Sequence, residues 1–108
     1  MLPAGVLREV IVIEQPVEVR NAVGEAVQEW CEFCRRRAGV EAVGYYESQR
    51  MAQVGGSVSH VVRIRYCPGI SGAMRIRWVS RENRILYISG IVERGRLEEH
   101  ELTCEERA

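Results

Sequence analysis

The sequence predicts a mainly β protein, a small antiparallel β-barrel of about seven strands with one long loop or short helix around residues 44–57. Three observations predict this class. Short runs rich in valine and isoleucine alternate with polar residues, turn-forming residues separate these runs at regular intervals, and the outer runs are apolar on both faces. A strand of that last kind is hazardous at an open sheet edge, so a closed barrel is favoured. With 108 residues the chain has room for one core, which predicts a single domain over residues 1–108.

The first predicted strand covers residues 6–14, whose sequence VLREVIVIE is a β-branched run with much of both faces covered. Residues 15–24 follow and contain Pro16, Asn21 and Gly24. These residue types favour turns, so the segment is predicted to be a turn or a wide hairpin loop.

The second predicted strand covers residues 26–34, which include valine, tryptophan and phenylalanine. Three consecutive arginines at 35–37 are predicted to interrupt it as a solvated bend rather than to form a phosphate clamp. Alternation resumes at residues 38–43 and predicts a third strand. Residues 44–57 break the pattern, and they are predicted to form either a functional loop or a short helix that caps an open barrel end.

The next two predicted strands, residues 58–66 and 73–79, are expected to form a hairpin around the sequence CPGISG. The period-two rule predicts a core face that consists of Val62, Ile64, Tyr66, Met74, Ile76 and Trp78. The opposite face then carries Arg63, Arg65, Arg75 and Arg77, and Glu99 and Glu101 on the last strand are the predicted counter-charges. Three interpretations stay open for this face: solvated intramolecular pairs, a contact between subunits, or contact with DNA.

Two further strands complete the prediction. Residues 84–93 form a largely buried strand with a bulge at Gly90, and residues 97–105 close the fold. Leu102 and Cys104 are predicted to share a buried face, with His100 beside them.

The charged residues exclude several classes of protein. All 15 basic residues are arginine and all 15 acidic residues are glutamate, so the formal net charge is zero. Without lysine there is no P-loop or Schiff-base site, and without aspartate there is no Asp-based catalytic triad. Zero net charge argues against a general DNA-binding protein, whose affinity comes from neutralising many phosphates. The sequence also shows no signal peptide and no apolar run long enough to cross a membrane.

The four cysteines, Cys31, Cys34, Cys67 and Cys104, admit two interpretations. The spacing of Cys31 and Cys34 matches half of a zinc site or a redox pair, but Cys67 and Cys104 are isolated. On a strand, residues 31 and 34 face opposite sides, so reduced packing cysteines are favoured over zinc. Neither His60 nor His100 has an acid or cysteine at ligand spacing, and no nucleophile stands out, so the sequence predicts neither a cofactor nor an enzyme.

The order of these motifs resembles the tailed-phage head-tail joining family, also called head closure or stopper proteins. Three segments carry the resemblance: LREVIVIEQPVEVRNAVGEAVQEW, SHVVRIRYCPGISGAMRIRW and RILYISGIVERGRLEEHELTCEE. Within them lie the strand motif with His60, Arg63, Arg65 and Tyr66, the turn at residues 68–70, and the closing residues 102–105. The ordered set covers nearly the whole chain.

The resemblance implies a non-enzymatic component of the virion neck, made in the host cytoplasm. Such proteins form a homo-oligomeric ring below the portal and its adaptor, retain the packaged DNA and present a surface to the tail terminator or tail tube protein. The resemblance further implies that contact with packaged DNA is possible and that the protein does not associate with a membrane. The channel or docking loop would then include Tyr45, Tyr46, Glu47, Gln49, Arg50 and Gln53. The subunit or partner interface would include Arg63, Arg65, Arg75, Arg77, Glu99 and Glu101. The alternative is an SH3-like or OB-like nucleic-acid module that uses the same arginines with a stacking tyrosine.

Overall fold

The structure, a computed structural model, describes residues 7–42 and 57–107. Within these residues six strands account for most of the chain, and the connection after β4 begins with a 3-10 turn at Val79–Arg81. The strands are β1 (Glu9–Arg20), β2 (Ala26–Ala42), β3 (Ser57–Arg65), β4 (Arg75–Trp78), β5 (Arg84–Arg94) and β6 (Glu99–Arg107). The predicted loop or helix at 44–57, with all its proposed channel residues, lies outside the described residues except for Ser57, which begins β3.

The six strands form a closed antiparallel barrel in the order β1-β2-β3-β6-β5-β4, which confirms the predicted fold class. Closure depends on β1, which pairs with β2 along one edge and, from Ile11 to Glu14, with β4 along the other. Both edges of each barrel strand are therefore hydrogen-bonded, as the two-sided apolar character of residues 9–14 requires.

The residues predicted to interrupt the second strand do not interrupt it. Residues 26–42 form one strand that continues through Arg35, Arg36 and Arg37, so the described residues contain six strands where about seven were predicted. The ladder instead shifts at a β-bulge, where Ile13 opposes Cys34, Glu14 opposes Glu32 and Phe33 is the extra residue. Three like charges do not end a strand when their side chains reach water, and two of the three arginines are exposed.

The predicted hairpin between β3 and β4 is also wrong, because the two strands are not neighbours. β3 pairs with β2 and β6, whereas β4 pairs with β1 and β5, so β3 and β4 lie on opposite walls of the barrel. The connection between them carries the buried residues Cys67 and Met74. Gly69 in this connection has a φ of 85°, which favours glycine, and a Cβ at this position would lie only 3.1 Å from the ring of Phe33.

The barrel interior is filled as the strand alternation predicts. Val62, Ile64 and Ile76 are fully buried, Met74 and Trp78 are each 7% exposed, and Tyr66 is half-buried. Leu102, Cys104 and His100 are buried together on β6, as predicted. The whole buried cluster comprises Ile11, Ile13, Ala38, Val62, Ile64, Cys67, Met74, Ile76, Trp78, Leu86, Ile88, Leu102 and Cys104.

Beyond the barrel wall, β1 and β2 continue as a two-stranded arm, defined here as residues 15–32. Among the described residues, the two strands of the arm pair with each other from Gln15 opposite Cys31 to Arg20 opposite Ala26, and Glu32 at its base pairs with Glu14 of the barrel. The segment predicted as a loop is thus mostly strand, with a short turn at its tip. There the Asn21 side chain accepts hydrogen bonds from the backbone N–H groups of Val23 and Glu25, each at 3.0 Å. Pro16 is tolerated because β1 is an edge strand at that point.

The described residues include no helix long and apolar enough to span a membrane.

Candidate interaction surface

The four predicted interface arginines divide between two walls of the barrel, because β3 and β4 are not adjacent. On one wall, Arg75 and Arg77 project from β4 and both contact Glu14 of β1. The Arg75 Nε lies 2.8 Å from Glu14 Oε1, and the Arg77 Nε lies 3.4 Å from Glu14 Oε2. The side chain of Glu14 is 12% exposed, so one nearly buried carboxylate neutralises part of the charge of two guanidinium groups.

Arg75 also contacts the ring of Trp30. The guanidinium carbon of Arg75 lies 4.3 Å from the centroid of the Trp30 ring, a cation–π geometry. Trp30 belongs to the arm and Arg75 to the barrel, so this stack joins the base of the arm to the barrel wall.

On the opposite wall Arg63 lies between two carboxylates, 3.7 Å from Glu41 and 3.8 Å from Glu101. Arg94 forms a hydrogen-bonded ion pair with Glu101, and this bond lowers the pKa of the Glu101 carboxyl below its usual value. Arg84 likewise lowers the pKa of Glu106 by hydrogen bonding to it. Arg63 and Glu101 are therefore brought together within one subunit.

The third group of arginines is arranged differently. Arg35, Arg36, Arg37 and Arg65 line, with Leu7, an open groove of about 430 Å³, called here the arginine groove. None of these four arginines forms a salt bridge with any carboxylate in residues 7–42 and 57–107. Glu99 is the ladder partner of Arg65 and still lies beyond salt-bridge distance.

Electrostatic repulsion is built into this groove. The β2–β3 register pairs Ala38 with Ile64. One step further along the same two strands, this register places Arg37 beside Arg65. Like charges at such positions destabilise a sheet unless an anion lies between them. The sequence signal for this site was the run of three arginines, which alternation alone did not connect to Arg65.

Four of the carboxylates without a salt-bridge partner among the described residues lie on the arm. They are Glu18, Glu25, Glu29 and Glu32, while Arg20, the one basic residue of the arm, donates a hydrogen bond to the backbone oxygen of Gly24. Although the chain has no net charge, four arginines without salt bridges among the described residues line the groove, and four such glutamates lie on the arm.

The cysteines lie in different surroundings. Cys31 is exposed, whereas the Sγ of Cys34 lies 3.2 Å from the Sγ of buried Cys67. Burial raises the pKa of Cys34 to about 12, with a further contribution from its hydrogen bond to Cys67, and burial alone raises the pKa of Cys104 to about 12. In the part of the chain that the structure describes, no three His, Cys, Asp or Glu side chains converge on a common point.

These surroundings predict selective alkylation. Iodoacetamide at pH 8 is expected to modify Cys31 rapidly and Cys34 and Cys104 very slowly, because a thiol with a pKa near 12 is ionised to only about one part in ten thousand. Peptide mass mapping against time gives the site order. All four cysteines should react at similar rates in urea, and rapid modification of Cys104 in the folded protein would contradict the buried position assigned to it.

The two histidines are packed into the barrel. His100 is 4% exposed, stacks on Tyr66 at 4.8 Å, and accepts a hydrogen bond at Nδ1 from the backbone N–H of Cys67 at 3.1 Å. His60 is equally buried and meets Trp78 edge to face at 5.8 Å. Because the Cys67 backbone occupies Nδ1 of His100, that nitrogen does not activate the Cys67 thiol.

The described residues thus form a closed barrel with a projecting arm and an arginine-lined groove, surfaces that suit contacts with other molecules. The comparison with known families gives the class of protein. The model of the phage head completion protein family matches residues 2–107. The chain belongs to that family, and it is accordingly a structural component of the phage head and neck within the virion.

Solved structures show the same fold. Protein SF1141 from Shigella flexneri 2a, solved in solution, aligns with a TM-score of 0.72 and 24% identity, over 97% of this chain and 96% of that one. A chain from the virion of a native gene transfer agent particle aligns with a TM-score of 0.65 and 21% identity, over 94% of this chain and 96% of that one. None of the curated proteins matches this chain.

Proposed function

We propose that this protein forms a homo-oligomeric ring below the portal and its adaptor, closes the DNA-filled head and provides the attachment surface for the tail. The observation that carries the proposal is the family match over residues 2–107. This match supports a role in completing the head. A ring is the arrangement in which several copies of one small barrel can surround an axial opening.

The proposed partners follow from this position. One side of the ring would contact the portal adaptor, the other the tail terminator or tail tube protein, and residues 45–53 would face the channel or a neighbouring subunit. The role is mechanical and requires neither catalysis nor a cofactor. The packing of both histidines within the barrel is consistent with such a role.

The predicted interface residues differ in what they offer a neighbouring chain. Arg63 and Glu101 contact each other, and Arg75 and Arg77 contact Glu14, all within one subunit. Arg65 and Glu99 form no salt bridge among the described residues. Of the six predicted positions, we therefore propose Arg65 and Glu99 as the pair most available to another subunit.

Deleting the coding sequence from its particle-forming genome is expected to yield heads without tails that lose their DNA. Electron microscopy of purified particles and measurement of nuclease-resistant DNA check this result. Supplying the unaltered chain from a plasmid should restore tailed, filled particles, and so should a matched surface variant, Arg96→Glu, whose side chain is exposed in the β5–β6 turn. Tailed, DNA-filled particles assembled without the chain would refute the proposal.

A further inference from the structure

Among the described residues, the barrel supports the arm of residues 15–32 at its base, through the stack of Arg75 on Trp30, while no other strand pairs with its outer part. None of its side chains is buried, and Val23 at the tip is 77% exposed. The ladder places Val17, Val19 and Val27 on one face of the arm, where Glu29 also lies opposite Val17. A two-stranded ribbon with one apolar face is at best marginally stable in water, so a surface that covers this face would stabilise it.

The arginine groove has the complementary character. Four arginines without salt bridges among the described residues line a depression together with Leu7, which is only 4% exposed. Guanidinium groups bind carboxylates through paired hydrogen bonds, and their stems pack against apolar side chains. The groove is therefore suited to an acidic segment with an apolar face.

From these two surfaces we propose that the arm of one copy of this chain docks in the arginine groove of the next copy. Glu29 lies on the valine face of the arm, and neither it nor the four arginines of the groove forms a salt bridge among the described residues. This inference rests on the ring of the proposed function, for which it supplies the contact between subunits.

The contact has to be intermolecular. Glu29 and Arg36 are seven residues apart on the same continuous strand, which separates them by about 23 Å. A strand cannot fold back on itself, so the arm does not reach its own groove. Because arm and groove are different surfaces, the contact is head-to-tail, and such contacts close into rings when the rotation between subunits permits.

A phosphodiester backbone is the other anion that a groove of arginines could bind. Zero net charge disfavours it, since the long-range attraction to DNA would be weak. The acidic arm on the same chain favours the second copy.

Disulfide trapping tests the contact directly. In a Cys31→Ser background, Glu29→Cys and Arg37→Cys are placed in separate purified chains, which are mixed in the presence of oxidised glutathione. A mixed dimer that links positions 29 and 37, identified by mass spectrometry after a non-reducing gel, is expected. Glu82→Cys, an exposed position in the β4–β5 turn, replaces Glu29→Cys as the matched control and should not form this dimer with Arg37→Cys.

Charge reversal tests the chemistry of the same contact. Glu29→Arg or Arg37→Glu alone should weaken self-association about tenfold or more, whereas a chain with both changes should recover it, because the reversed arm meets a reversed groove. Sedimentation velocity measures the association, and unchanged melting temperatures show that each variant folds. Glu82→Arg and Arg96→Glu are the matched controls and should associate like the parent.

Several outcomes would overturn the docking. In the trapping experiment, these outcomes are equal trapping by Glu82→Cys or no mixed dimer at any protein concentration. In the charge-reversal experiment, the outcome is that the double reversal fails to recover association. A third is salt-sensitive binding of a duplex oligonucleotide that Arg37→Glu abolishes. These outcomes are independent of the deletion experiment. If the docking is right, the mixed dimer forms even if the deletion shows that the chain is dispensable for head closure. If the docking is wrong, no mixed dimer forms even if the deletion shows that the chain is required.

Discussion

Leu102→Ala is expected to lower the free energy of unfolding by about 3 kcal/mol, within the range measured for buried leucines. Leu102 is fully buried on β6, opposite Val62 of β3 and Ile91 of β5, so its side chain fills the interior where three strands meet. Removing it loses apolar contact and leaves a cavity that hydrogen-bonded strands on both sides cannot close. Urea denaturation followed by circular dichroism measures the change.

Leu97→Ala is the matched control, because Leu97 is 66% exposed in the turn before β6. Its effect should stay within about 0.5 kcal/mol, as for most surface substitutions. Leu102→Met should cost less than about 1.5 kcal/mol, since it nearly conserves volume. Equal losses for the two leucine-to-alanine variants would show that Leu102 does not lie in the barrel interior.

Glu14→Gln is expected to lower the free energy of unfolding by about 2–3 kcal/mol, somewhat less than for a fully buried ion pair. Glutamine keeps the size of the side chain and removes the charge, which leaves Arg75 and Arg77 beside each other without a carboxylate. The two arginines are 20% and 33% exposed, and the water that reaches them reduces the loss. Denaturation in urea at neutral pH measures it.

Glu18→Gln makes the same chemical change farther along β1, at an exposed position without a salt bridge among the described residues. It should leave the stability of the monomer nearly unchanged. A double-mutant cycle with Arg75→Gln should give a coupling energy of about 1 kcal/mol or more, because the two side chains are in contact. A coupling energy near zero would show that the Glu14–Arg75 contact adds nothing to stability.

The sequence determined which side of each strand faces the core, because alternation is local. Val62, Ile64, Ile76, Leu102 and Cys104 are buried as predicted. The alternation of apolar and polar residues in a strand does not depend on which strand is its neighbour. It therefore could not show that β3 and β4 lie on opposite walls of the barrel. The nine residues between them look like a hairpin loop in sequence and serve as a connection from one wall to the other.

The charged site was predictable only in part. In the sequence, Glu14 directly follows an apolar run, so it looks like a solvent-exposed residue at the end of a strand. Its role depends on the β1–β4 register, which pairs residues 61 positions apart and leaves no local signal. The arginines at 35–37 looked like a break because three like charges are unusual within a strand, and only the ladder with β3 brings them beside Arg65.

The closure of the barrel by β1 has a consequence for synthesis of the chain. As the protein emerges from the ribosome, β1 and β2 are complete long before β4, which must supply the second partner of Ile11, Val12 and Ile13. Until then these apolar residues lie along an open sheet edge, the arrangement most prone to join another nascent chain. Fragments that end before residue 75 are therefore expected to aggregate, and closure of the barrel by this long-range pairing is expected to be slow.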